Sequence, residues 1–372
     1  MRHPALLAVG LVASCSISAC GPKSVPGGGP AWSRPIRELA LTTKDTTGDP
    51  SRERLFETDV PLTFILEADF HQLRDDREQE SEERPGRVIL QGDTGQVSLP
   101  VMVRTRGRFR LNDYICSFPP LRLNFPSDSL VGSALEGLDK VKLVAHCRDT
   151  DTYEQYVLEE YLAYRIYGLL TDVGFRVQLA LITYRDVSGE EGDVSRLAFL
   201  IEDKGALAER LGGEMTEADR ANPEHFVPRQ AGLMYLFQYL IGNTDWSILD
   251  LHNMKALRIG REYYPIPFDF DFSGFVDASY AGPHPLMTRY IKKVRDRHFW
   301  GVCSDEIDYP ALFSHFNERR EPILELIRNQ AGLKDRNSWL ATSYVQSFYD
   351  IINRPRAADD LIVNGCRQMR RK

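Results

Sequence analysis

The chain has 372 residues, with 46 Lys and Arg against 53 Asp and Glu, for a formal net charge of -7. Hydrophobic residues make up 42% and charged residues 27%, which excludes a wholly disordered, collagen-like or coiled-coil chain. The acidic balance argues against bulk nucleic-acid binding, which needs a basic face.

The first elements are targeting signals. Arg2 and His3 precede an apolar run, Ala5 to Ala13, that is too short to span a bilayer and has the form of a secretory signal peptide. Ile17-Ser18-Ala19-Cys20-Gly21 resembles a bacterial lipobox. The sequence therefore implies a leader over 1–19, lipidation at Cys20, a flexible tether over 20–50 containing GPKSVPGGGP, and a lipid-anchored place in the bacterial cell envelope. Removing Cys15 and Cys20 from the six cysteines leaves Cys116, Cys147, Cys303 and Cys366. An exported compartment permits disulfides. Three pairings are open, and the flanking predicted strands favour Cys116–Cys147 with Cys303–Cys366. Zinc spacing is absent.

Residues 51–150 read as a β-rich lobe. Leu62–Ala68, Val88–Leu90, Val97–Val103, Pro119–Phe125 and Lys140–Val144 have strand character. The stretch Arg74–Arg87 between the first two reads as a charged loop. Residues 151–372 read as mostly helical. Asp151-x-x-Glu154 has the form of a capping box. Phe175–Tyr184 and Ser195–Ile201 read as strands, and Gln230–Ile241 as a buried helix. Met254–Ile259 and Glu262–Phe268 form a predicted hairpin around Gly260, with mostly helix from Met287 onward, including RYIKKVRDR. The order predicts an α+β protein of two lobes.

The sharpest chemical signal is Ile241-Gly-Asn-Thr-Asp245-Trp-Ser, then His252-Asn253, then PFDFDFSG carrying Asp269 and Asp271. A buried helix ending at Gly242 presents Asp245 on a loop, Asn253 follows on the same loop, and strand alternation places Asp269 and Asp271 on one face. Carboxylate and amide oxygens suit Mg²⁺ or Mn²⁺. An Asp, a downstream Asn and a hairpin-borne Asp are laid out as in kinase phosphoryl-transfer sites. His252, His284 and His298 are further candidate bases.

Together, VRTRGRFR (Val103–Arg110), GNTDWS…HN and PFDFDFSG resemble the spore-coat H (CotH) kinase-like family, and CSFPPLRLNF, KLVAHC and FLIED match an exported bacterial branch related to it. The resemblance implies an atypical protein-kinase-like two-lobe fold, with a β-rich N-lobe and a mostly helical C-lobe. It further implies phosphoryl transfer from ATP to a protein or small-molecule hydroxyl. By the same resemblance Asp245 is the catalytic base, Asn253 and Asp269 or Asp271 are metal ligands, and Arg104, Arg106, Lys142 and Glu202 are nucleotide-binding. Glu159 or Glu160 is the candidate partner of Lys142. No GxGxxG loop or VAIK-type lysine is present. A catalytically silent binding or scaffold module is the rival reading, and a metal-dependent phosphoester hydrolase is the third.

Overall fold

The computed structural model describes residues 55–79, 81–92, 95–126, 130, 133, 135–136, 138–216 and 225–368. The leader, Cys20 and the tether lie outside the described residues.

Seven strands close into a barrel: β1 (Leu62–Ala68), β2 (Arg84–Gly92), β3 (Gly95–Thr105), β4 (Leu121–Asn124), β5 (Lys140–Val144), β6 (Val177–Asp186) and β7 (Val194–Ile201). Neighbours run β1-β2-β3-β4-β5-β7-β6, and the ring is closed by β1 pairing parallel with β6 from Leu62↔Ala180 to Ala68↔Asp186. Alternation explains the filling. Phe64 and Leu66, Val88 and Leu90, Val101 and Val103, Leu121 and Leu123, Val141 and Leu143, Ala180 and Ile182, and Ala198 and Leu200 belong to one buried cluster.

The opposite faces of β6 and β7 are also covered. Val177, Leu179, Leu197, Phe199 and Ile201 pack into the second core with α2 (Asp151–Leu170). Burial on both faces is why these two strands read as near-continuous apolar runs. A short helix, α1 (Phe70–Asp75), follows β1, and α3 (Lys204–Arg210) follows β7. The buried helix α4 (Pro228–Ile241) leads to a three-stranded sheet of β8 (Glu214–Thr216), β9 (Met254–Ile259) and β10 (Glu262–Pro267) in the order β10-β9-β8. The C-terminal helices are α5 (Tyr309–Glu318), α6 (Arg320–Arg328), α7 (Asp335–Ile352) and α8 (Pro355–Ala358). No helix of the described residues is long and apolar enough to cross a membrane.

The two-lobe, atypical kinase-like fold expected from the sequence is corrected by this topology. The β-rich part is not an open N-lobe sheet followed by a helical lobe, because β6 and β7 come after α2 and are needed to close the barrel. Local expectations shift as well. The charged stretch Arg74–Arg87 holds the end of α1 and the start of β2, and it is tied down where Arg84 pairs with Asp76 and Arg77 donates to the Cys116 carbonyl at 3.0 Å. The capping box at Asp151 does not form. Glu154 instead accepts the Leu197 backbone N–H at 2.8 Å. The RYIKKVRDR stretch runs as turns, with Asp296 accepting the Lys292 and Lys293 backbone N–H groups at 2.8 and 2.9 Å.

Both disulfides are present as expected, Cys116–Cys147 and Cys303–Cys366. Each closes a long loop, which raises stability chiefly by restricting the unfolded chain.

One buried acid on α2 gives a stability prediction. Glu159 accepts from Asn337 Nδ2 at 2.9 Å through Oε1, while its Oε2 is buried without a hydrogen-bond partner. Burial pushes this carboxyl up to about 8 from 4.5. The folded state therefore keeps a proton that the unfolded state releases, so this group's contribution is greatest below the unfolded value and is lost as pH rises through the window. Glu159→Gln keeps an acceptor for Asn337 and removes the titration. The variant should gain on the wild type as pH rises from 5 to 8, with each kcal/mol worth about 2–4 °C in melting temperature. A constant difference across that range, by calorimetry, would disprove the assignment.

Candidate functional site

The site is built where α4 ends and the β9–β10 hairpin opens. Gly242 takes φ 62° as the left-handed cap of α4, a conformation that glycine reaches without a Cβ penalty. The chain then turns through Asn243, whose Oδ1 accepts the Asp245 backbone N–H at 2.9 Å. Trp246 anchors the loop by donating Nε1–H to the Asn243 carbonyl at 3.1 Å and by burial in the core.

Asp245 is held by two neighbours. Asn253 Nδ2 donates to the Asp245 carbonyl at 2.7 Å and to Oδ2 at 3.0 Å. His252 Nε2 lies 3.2 Å from Oδ1. Asn253 has φ 50° and stands at the mouth of the hairpin, where its carbonyl accepts the Phe268 N–H at 3.1 Å. Asp269 follows directly, so the hairpin itself brings the Asn and the Asp together. The expected strand alternation does not extend this far: β10 stops at Pro267, and Asp269 has φ 65°. Asp is among the few residues that tolerate this region. The Tyr164 hydroxyl from α2 accepts the Asp269 N–H at 2.9 Å and fixes the turn.

Beyond the turn, Phe270 is fully buried and Asp271 is buried with it. Tyr280 donates its hydroxyl to Asp271 Oδ2 at 3.1 Å, and Arg110 Nε lies 3.7 Å from the same oxygen. Glu160 on α2 joins this buried group. Burial and the Asp271 charge push Glu160 up, while Arg110 and Arg106 pull it down. Burial also raises Asp271, against Arg110. Burial works against the Arg110 charge, but Tyr280, Asp271 and Glu160 overcome it and hold the guanidinium protonated. Arg110 has no individual role in the sequence reading, whereas Tyr280 belongs to the YAGPHP loop, which the sequence places at the border of the cleft. Arg110 does close the VRTRGRFR motif, and that was the available signal.

The nucleotide-binding candidates divide. Arg106, just past β3, acts on Asp269 and Glu160 and donates Nε–H to the Leu121 carbonyl at 3.2 Å. Lys142 on β5 also faces Asp269, and its ammonium lies 4.9 Å from the Phe268 ring centroid. Burial first, then the like charges of Arg106, Lys255 and Arg122, push Lys142 down to about 8, with Asp269 acting in the opposite sense. Arg104 sits on β3 opposite Arg122 of β4. Glu202 is placed elsewhere. It is buried at the end of β7 and bound twice by Arg210, at 2.9 and 2.8 Å, which pins α3 to the barrel. Asp203 caps that helix by accepting from Gly205 N at 2.8 Å. Glu160 feels the opposite charges of Arg110 and Arg106 and the like charges of Asp271 and Asp269. His284 caps the short turn Pro285–Met287, and His298 stacks on Tyr290 at 4.4 Å.

The donor set suits a hard cation in chemistry: carboxylates from Asp269 and Asp271 and the amide of Asn253 are all oxygen ligands. Among the described residues, no three His, Cys, Asp or Glu side chains converge as an all-protein metal cage. No protein-family model matches the chain, and no curated protein matches it.

Proposed function

We propose that this chain transfers a phosphoryl group from a nucleoside triphosphate, ATP in the first instance, to a hydroxyl on a protein or small molecule, with Mg²⁺ or Mn²⁺. The observation that carries the reading is a cationic group next to Asp269: the Lys142 and Lys255 ammoniums lie 4.9 and 5.6 Å from the ring centroid of the adjacent Phe268, and Arg122, which pairs with Asp203 at 3.5 Å, is the cross-strand neighbour of Lys142. Such an excess of partly buried cations suits the anionic oxygens of a polyphosphate. The proposal takes from the CotH resemblance the roles of individual residues and not the fold.

In this reading Arg106 and Lys142 hold the phosphates, and Asn253, Asp269 and Asp271 are the cation's ligands. The bound cation supplies neutralisation of phosphate charge. Asn253 and His252 orient Asp245, whose carboxylate takes the proton of the acceptor hydroxyl. The acceptor oxygen bonds to the terminal phosphorus as the bridging bond breaks, and a nucleoside diphosphate leaves. The two disulfides support an oxidising compartment, which accords with export; the Cys20 anchor rests on the lipobox-like sequence alone.

The rival is a silent binding module. It is favoured by the way Tyr280 and Arg110 already satisfy Asp271 from within the protein. Calorimetric titration with ATP and Mn²⁺ separates the two. The proposal expects metal-dependent binding that weakens about tenfold or more in Lys142→Ala and in Arg106→Ala, the loss typical of a charge-assisted contact. Absence of nucleotide binding by the folded wild-type protein would refute the ATP reading and favour the module.

A further inference from the structure

The segment after Tyr280 builds a surface that neither core covers. From His284 the chain coils through successive turns. The Met287 N–H donates to the His284 carbonyl at 2.7 Å, and the Tyr290 and Ile291 N–H groups donate to the Met287 carbonyl at 2.8 and 3.0 Å. This spacing turns Met287 and Ile291 inward, where they are 1% and 3% exposed. Leu286, Arg289, Tyr290 and Lys293 recur three and four residues apart on the outer side. Leu286 is 69% exposed and Tyr290 47%, and Arg289, Lys292 and Lys293 are exposed with them. Tyr290 is held in place from behind: its ring stacks on His298, Trp300 lies 6.1 Å away, and the Arg289 guanidinium lies 4.6 Å from its centroid.

Charge selects the partner. Two cations of this segment are committed within the protein. Arg295 pairs with Asp277 at 3.4 Å, and Arg297 donates to the Tyr239 and Leu240 carbonyls at 3.0 Å. Arg289, Lys292 and Lys293 remain on the outside. Lys292 Nζ donates to the Thr288 carbonyl at 2.9 Å, a neutral partner that leaves its charge in place. Asp296 is the acid of residues 284–300, and it is occupied with the Lys292 and Lys293 backbone N–H groups. A positive patch on a chain of net charge -7 fits an anionic surface. Cations alone would serve a soluble acidic peptide. An exposed leucine and a tyrosine set among Lys and Arg have the composition of a membrane interface.

We infer that this face docks on an anionic phospholipid surface. Leu286 and Tyr290 enter the headgroup boundary, and Arg289, Lys292 and Lys293 meet the lipid phosphates. A lipidated Cys20, implied by the lipobox-like sequence, keeps such a surface within reach. The docking face also adjoins the Asp245 loop: the His284 ring lies 6.2 Å from His252, whose Nε2 is 3.2 Å from Asp245 Oδ1. Docking needs no nucleotide, so it stands apart from the phosphoryl-transfer proposal.

The test is co-sedimentation of the full chain with phosphatidylcholine vesicles, with and without about one-third phosphatidylglycerol. A lipid at Cys20 contributes alike to both, so the patch is read from the anionic preference and from variants. Arg289→Gln, Lys292→Gln and Lys293→Gln together should weaken binding to the anionic vesicles about a hundredfold, at roughly fivefold for each residue. Leu286→Ala should weaken it about tenfold through lost apolar contact. Arg229→Gln, Arg336→Gln and Arg356→Gln together remove the same charge from exposed positions on other elements and should bind as the wild type does. All these positions are exposed, so folding is not at stake. Equal binding to both vesicles, the same loss in both triple variants, or an unchanged Leu286→Ala would each overturn the inference. So would binding of poly-glutamate, with the same variant pattern, by a chain that shows no anionic preference on vesicles; that result would assign the patch to an acidic protein partner.

Discussion

Asp245→Asn should lower phosphoryl transfer about a hundred- to ten-thousandfold, the range lost with a positioned general base, while ATP and Mn²⁺ still bind. The substitution is nearly isosteric. Asn253 Nδ2 keeps its 2.7 Å contact with the backbone carbonyl of residue 245, so the loop retains its main tie. The cationic group of Arg106 and Lys142 lies on the barrel and is untouched. What is lost is a carboxylate that accepts a proton from the incoming hydroxyl. The measurement is transfer from labelled ATP to an acceptor, run beside calorimetric nucleotide titration of the same variant. Transfer at the wild-type rate would remove Asp245 from the chemistry. Loss of nucleotide binding along with transfer would show a structural role instead.

Gly242→Ala should destabilise the protein by roughly 2–5 kcal/mol, from the left-handed backbone penalty plus overpacking. Gly242 has φ 62°, and a Cβ there would fall 1.9 Å from the Tyr344 hydroxyl. That hydroxyl is not free to swing aside. It donates to the Arg295 carbonyl at 3.1 Å, and its ring lies beneath Arg297 at 3.7 Å. Gly242 also accepts the Gly274 N–H at 3.1 Å, which joins the end of α4 to the segment after Asp271. Tyr344→Phe removes the offending oxygen, so the double variant should recover about 1–2 kcal/mol of the loss, a coupling typical of residues in contact. The ring carbon at 3.0 Å and the backbone penalty remain, and full recovery is not expected. Urea denaturation of the four proteins measures this cycle. Strict additivity would show that the two residues do not meet as described.

The parts of this fold that were legible in the sequence are those with a local cause. Period-2 alternation marked β4, short apolar runs marked β1 and β5, and the turn at Gly260 marked the β9–β10 hairpin. All twelve residues from Gln230 to Ile241 are buried, as an apolar run without a polar face implies. Cys116–Cys147 followed from cysteines flanking predicted strands, and Cys303–Cys366 was the remaining pair. Part of the site was legible in its polar members: Asp245 and Asn253 meet because one loop carries both, and the hairpin sets Asp269 next to Phe268, whose N–H the Asn253 carbonyl accepts. Arg110, Glu160 and Tyr280 were harder, since only tertiary packing brings three distant segments around Asp271. Glu202 shows the opposite failure, a promising acid whose nearby Arg210 claims both its oxygens. Barrel closure had no local mark at all. Parallel pairing of Leu62 with Ala180 leaves no turn and no short-range pattern to read.

That same closure constrains the order in which the chain can fold. β1 is the partner of β2 on one side and of β6 on the other, and β6 is separated from it by the whole length of β2 to β5 and α2. Until β6 and β7 have emerged, β1 and β5 each present an unpaired edge, and the barrel's apolar filling is open to solvent. Pairings of such long sequence separation form late and slowly, because loop entropy is spent before the contact is gained. The β-rich segment before α2 is therefore not a self-sufficient folding unit. The nascent barrel stays aggregation-prone until the strands beyond α2 arrive to seal it.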